Sequence, residues 1–132
     1  MVYYGRFPVE DPETKWLRNP DGPDREMKME EDFTFVDKKG NYHTAFKGEI
    51  VDGSSIPPFL WSIFQLSPFV GDHRNASIIH DVLCQRKELP SKKVHQVWAD
   101  MLHVLMPDTK FLFMNKATVM GNMVKWFGPK WK

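Results

Sequence analysis

The apolar positions of this chain change their period near Pro57-Pro58. Before that point they alternate in short runs broken by turn formers, as half-buried strands do; after it they recur every three or four residues, as helices do. Residues 1–26 are punctuated by Pro8, Pro12, Pro20 and Pro23, with Asn19, Asp21 and Gly22. That leaves room only for short strands near Val2–Phe7 and Lys15–Leu17. Met27–Val36 alternates with Phe33 and Phe35 on one face, and Tyr42–Phe46 forms a second such run. Between them Asp37-Lys38-Lys39-Gly40-Asn41 has hairpin-loop chemistry, since Gly40 can take a positive φ. A third short strand, Glu49–Val51, leads into the turn Asp52-Gly53-Ser54-Ser55-Ile56-Pro57.

Three helices are expected beyond the turn, the first from about Arg74 to Arg86, after a short helical turn at Phe59–Phe64. Leu89-Pro90-Ser91 opens the second, because proline suits the first helical turn. Val94, Val97, Trp98, Met101, Leu102 and Leu105 give it one apolar stripe, which leaves His95 and His103 outside and solvated. Pro107-Asp108 ends that helix, Asp108 caps the third, and Gly128-Pro129 stops it after Phe127. The expected fold is α+β: a small N-terminal antiparallel sheet packed against a C-terminal layer of about three helices. Residues 1–57 are mainly strands and loops and 58–132 mainly helices, within a single domain spanning 1–132.

Composition narrows the function classes only a little. The 132 residues can form a core without a disulfide or structural metal. A net charge of +1 offers no global field for nucleic acid, and no nucleic-acid partner is expected. Cys84, the single cysteine, excludes an internal disulfide and fits a reducing compartment. The N-terminus has no apolar stretch of signal-peptide length, and no run is long enough to span a membrane. The chain reads as cytosolic.

The candidate chemistry lies between Asp52 and Asp81. His80 falls at the margin of its helix's apolar face, with one ring nitrogen seeking a partner. The short loop Gln85–Leu89 returns the second helix antiparallel, and Asp100 in its middle is the expected partner for His80. A carboxylate on one imidazole nitrogen would leave the other to act as a base or to bind a metal. In the turn, Asp52 and Asp81 are candidate ligands for a divalent metal ion, Ser55 a candidate nucleophile, and Ser54 and Trp61 candidate binding residues. An ordinary Asx or Ser turn and a hydrogen-bonded core histidine explain the same residues without any activity.

Gly48, Asp52, Ser55 and Pro57, then Trp61, then Ala76 with His80-Asp81 and Leu83, followed by Ala99-Asp100, form an ordered pattern. It resembles the signature of a phage and prophage family catalogued as domain of unknown function 1353, over roughly residues 33–105. Glu49 and Cys84 depart from it, standing where aromatics are usual. The resemblance implies a viral or prophage origin, hence a host-cytoplasmic or virion-associated protein, and supplies no activity. His80, Asp81 and Asp100 also resemble the His-Asp site of secreted phospholipases A2. That likeness implies a water-activating His80 oriented by Asp100 and a calcium ligand in Asp81, although no disulfide framework or glycine-rich calcium loop accompanies them.

Two further readings complete the set. His73, His80 and Cys84 could supply a zinc site, His80 and Cys84 lying four apart on one helical face. The third helix is rich in Phe111, Phe113, Met114, Met120, Met123, Trp126 and Phe127, which suits a core and also a surface for a phage or host protein. Three functions follow: a small hydrolase with His80 as base, a phage structural or assembly component, or a host-interacting accessory protein.

Overall fold

A computed structural model describes residues 2–22, 24–64, 69, 71–111 and 113–132 of the chain, without the side chains of Ile63, Phe64 and Phe111. Turn formers keep the N-terminal strands short: β1 (Gly5–Arg6), β2 (Thr14–Leu17), β3 (Glu26–Met29), β4 (Phe33–Asp37), β5 (Tyr42–Ala45) and β6 (Ile50–Val51). They form two antiparallel three-stranded sheets rather than one, in the orders β1-β4-β5 and β2-β3-β6. The division falls within the alternating run 27–36, where Glu30-Glu31-Asp32 interrupts the strand. On both sides of that break alternate residues point inward, and Met27, Met29, Phe33 and Phe35 have essentially no exposed surface.

The 37–41 loop closes β4 and β5 as its chemistry suggests. Gly40 takes φ 86°. The Asp37 carboxylate accepts from the Lys39 and Asn41 backbone and pairs with His43 Nε2 at 2.8 Å.

Beyond the turn, α1 spans Pro58–Phe64, α2 Arg74–Arg86 and α3 Ser91–Leu105. Lys87 ends α2 in the left-handed conformation, its N–H returning to the Leu83 carbonyl, so that α3 packs back against α2. The third long helix starts later than Asp108 suggests. Two short paired strands, β7 (Lys110–Phe111) and β8 (Met114–Asn115), come first, and α4 spans Lys116–Phe127. Asn115 is the cap, its side chain accepting from Thr118 N. Phe113 and Met114 therefore lie on the surface, while Met120 and Val124 are core.

Helix α3 is central, packed on α2 and on α4. Gly121 allows the closest approach, since a Cβ there would lie 2.9 Å from that of Ala99. The C-terminal tail folds back over the start of α3. Trp131 Nε1 donates to the Leu89 carbonyl, and Ser91 Oγ both donates to Trp131 O and accepts from Trp131 N. Among the described residues, no helix is long and apolar enough to cross a membrane.

Candidate functional site

The turn after β6 is built around two carboxylates. Asp52 Oδ1 accepts from Ser54 N at 2.9 Å, an Asx turn, and Gly53 takes φ 75° to let the chain reverse. Asp81 then holds the turn onto α2. Its Oδ2 accepts from Asp52 N at 3.0 Å and its Oδ1 from Ser55 N at 3.3 Å. Gln85, one helical turn further on, donates to Asp81 Oδ2 at 2.8 Å and to the Ile50 carbonyl at 3.1 Å. Burial pushes the Asp81 carboxyl above its usual range; the Asp52 N–H and Ser55 pull it back, and the Asp52 charge adds to the rise. The acid thus replaces the backbone partners that the turn's N–H groups lack.

This clamp sets Ser55 against His80. Ser55 Oγ lies 3.1 Å from His80 Nδ1, His80 Nε2 lies 2.9 Å from His95 Nδ1, and His95 Nε2 lies 2.6 Å from the Pro129 carbonyl. Proton positions follow from the last member. A carbonyl only accepts, so His95 carries its proton on Nε2 and presents a bare Nδ1. His80 must then donate from Nε2, which leaves its Nδ1 to accept from the Ser55 hydroxyl. Both rings are neutral in this arrangement. Burial lowers the pKa of His80 well below its usual value, aided by His95, and burial likewise lowers that of His95 against the pull of Pro129. The result is a directional chain, Ser55 to His80 to His95 to Pro129, whose serine-histidine end has the connectivity of an activated nucleophile.

Accessibility limits what the chain can do. His80 is 0% exposed and Ser55 4%. A cleft of about 950 Å³ opens on His95, at the far end of the relay, and is lined by Lys38, Lys39, Lys92, Lys93, Lys125 and Lys130.

The remaining candidates are placed differently from expectation. Asp100 does not meet His80; its carboxylate accepts from Gln96 at 2.9 Å and pairs with Lys38 at 3.5 Å, on the wall of the lysine cleft. The place reserved for it beside His80 is filled by His95, which is 2% exposed rather than solvated. The signal for His95 was its distance of seven residues from Leu102, which puts both on nearly the same side of α3. His103 is not bare either, its ring stacking on Tyr4 at 4.4 Å. Ser54 is exposed, and its backbone rather than its hydroxyl makes the Asx turn. Trp61 is buried against His73 with its ring centroid 5.2 Å away, and its Nε1 has no hydrogen-bond partner among the described residues.

The carboxylates of Asp52 and Asp81, the expected cation ligands, both accept hydrogen bonds from N–H groups of the turn. The phospholipase-like set also does not assemble, because the Asp100 carboxylate bonds to Gln96 and Lys38 rather than to His80. Cys84, one turn after His80, has its Sγ 3.6 Å from His80 Nε2. Burial, with the Asp81 charge, pushes its thiol up to about 12. Among the described residues one group of three ligand-type side chains converges: His80, Cys84 and His95, with His95 where the sequence offered His73.

Comparison with known proteins gives a family and a relative. The profile of a family described as "Protein of unknown function (DUF1353)" matches residues 27–117, which contain the turn, the clamp and the first three members of the relay up to His95. An uncharacterised protein, y4jT of Sinorhizobium fredii, is 38% identical over 70 residues, covering 53% of this chain and 20% of that protein. No solved structure matches.

Proposed function

Because the chain belongs to the DUF1353 family, whose description assigns no activity, we propose a function from its geometry. The protein is a phage- or prophage-encoded assembly or accessory component, acting in the host cytoplasm or on the particle. It docks on a protein partner through an aromatic patch, and its polar signature serves as an internal clamp. One contrast carries this reading. The reactive atoms of Ser55, His80 and Asp81 are spent on one another and on the turn, whereas large apolar side chains face outward. Phe59 of α1 and Phe127 of α4 pack edge to face at 5.6 Å, both about half exposed, and Trp126, next to Phe127 in the sequence, is 66% exposed. Aromatic side chains grouped on a surface are enriched in protein interfaces. The test is complementation of a deletion in the encoding phage or prophage with Trp126→Ser/Phe127→Ser. The docking reading expects a variant that keeps its circular dichroism spectrum and loses most infectious yield. Full yield from that folded variant would defeat it.

A second reading is favoured by the direction of the relay. Ser55 donating to His80, and His80 held by His95, would be a serine hydrolase's nucleophile, base and orienting residue, with Ser55 as the atom that substrate meets. Labelling of wild type but not of Ser55→Ala by a fluorophosphonate would favour it. The docking reading expects no labelling of Ser55.

A further inference from the structure

The geometry points to a buried binding site for a soft divalent cation, zinc, on His80 Nε2, His95 Nδ1 and Cys84 Sγ. These atoms lie within 4.8 Å of one another, on two facing helices and with no carboxylate among them. Two imidazoles and a thiolate are the donor set that zinc selects over calcium or magnesium. The spacing fits. Around a tetrahedral zinc with Zn–N near 2.0 Å and Zn–S near 2.3 Å, nitrogen and sulfur stand about 3.5 Å apart and two nitrogens about 3.3 Å apart. His80 Nε2 to Cys84 Sγ is 3.6 Å. His80 Nε2 to His95 Nδ1 is 2.9 Å, so the two rings need to part by about 0.4 Å to admit the ion.

One of the ligands is already oriented. Pro129 O holds the proton of His95 on Nε2, which aims the bare Nδ1 at the site, as a carbonyl commonly does for a zinc-bound histidine. His80 needs only a change of tautomer. Its proton leaves Nε2 for Nδ1, and the Ser55 hydroxyl turns from donor to acceptor. Cys84 gives its thiol proton to solvent as the sulfur binds, so one proton is released per ion and nothing is oxidised or reduced. Three protein ligands leave the fourth position open. The inference stands apart from the docking reading. A bound ion would also reverse the Ser55–His80 hydrogen bond, and would therefore switch off the hydrolase reading wherever that one holds.

The experiment uses the whole chain stripped with a chelator. Zinc is titrated by calorimetry and cobalt by absorption. The expected result is one equivalent of each, with a cobalt–thiolate charge-transfer band, and with both binding and band lost in Cys84→Ser. His95→Gln should weaken zinc binding by at least tenfold while circular dichroism remains unchanged. Absence of uptake overturns the site. So does binding without the thiolate band, or binding that survives Cys84→Ser, since either would mark adventitious coordination by other histidines. Should Cys84→Ser not fold, the cobalt band of the wild type decides alone.

Discussion

Replacing Asp81 by Asn tests whether the clamp on the turn is what holds it. Asp81 accepts three hydrogen bonds, from Asp52 N, Ser55 N and Gln85 Nε2. An amide keeps one acceptor oxygen and turns the other position into a donor. With the oxygen at the Oδ2 position, the new NH2 faces Ser55 N–H and orphans it; turned the other way, it orphans Asp52 N–H and Gln85. At least one buried donor is lost, which costs about 1–3 kcal/mol. The variant also loses a desolvated charge, which offsets part of this, so a net loss of about 2 kcal/mol is expected, or roughly 5–10 °C in melting temperature for a chain of this length. The pH dependence gives a second check. Burial raises the Asp81 pKa above 3.8, so the folded state takes up this proton before the unfolded one does. As pH falls through the folded-state value, the wild type gains stability relative to Asp81→Asn, and the gap stops widening below 3.8. Urea titrations by circular dichroism, run in chelator at a series of pH values, measure both. A variant within about 0.5 kcal/mol of wild type throughout would refute the clamp, and a gap that narrows on acidification would refute the burial-raised pKa of Asp81.

Other outcomes follow from the same geometry. Ser55→Ala leaves His80 Nδ1 as a buried acceptor without its donor and should lose about 1–3 kcal/mol by chemical denaturation. His80 and His95 have folded pKa values below 6.5, chiefly through burial, so the unfolded chain binds more protons below that pH. Their contribution to stability is lost as pH falls from 6.5, and His95→Gln should remove its part of that slope in the metal-free protein. Gly121→Ala places a Cβ 2.9 Å from that of Ala99, and overpacking of the α3–α4 contact should cost about 1–3 kcal/mol in a thermal melt. Gly5 combines φ 121° with a would-be Cβ only 2.5 Å from the Phe35 ring, so Gly5→Ala should destabilise by a similar or larger amount, again about 1–3 kcal/mol.

The parts of this molecule that the sequence disclosed were those decided by local rules. Alternation located β4 and β5, the Gly40 loop joined them, helical periodicity located α2, and Leu89-Pro90-Ser91 marked the start of α3. The same rules misplaced the start of α4, because Asp108 and Asn115 are both good caps and only pairing of β7 with β8 selects Asn115. The core alternation of 27–36 was legible, but its division between two sheets was not, since strand partners are chosen by residues far away in sequence. The site shows the same limit. The turn and the His80-Asp81 helix were legible as one unit, yet the identity of the residue facing His80 depended on how α3 rotates between two neighbours. A single stripe of about 100° describes a helix covered on one side. Helix α3 is covered on two, which brings His95 inward and leaves Asp100 toward the lysines.

The bond from His95 to Pro129 has a reach well beyond the tail that it anchors. A carbonyl is a fixed boundary condition: it cannot give a proton, so it imposes one sense on every bond upstream of it. The orientation of the Ser55 hydroxyl is thereby written at the other end of the chain, by a main-chain oxygen in sequence 74 residues away. Lifting residues 128–131 would free His95 to carry its proton on either nitrogen. Ser55 would then be released from its one permitted direction without any motion of the turn that holds it.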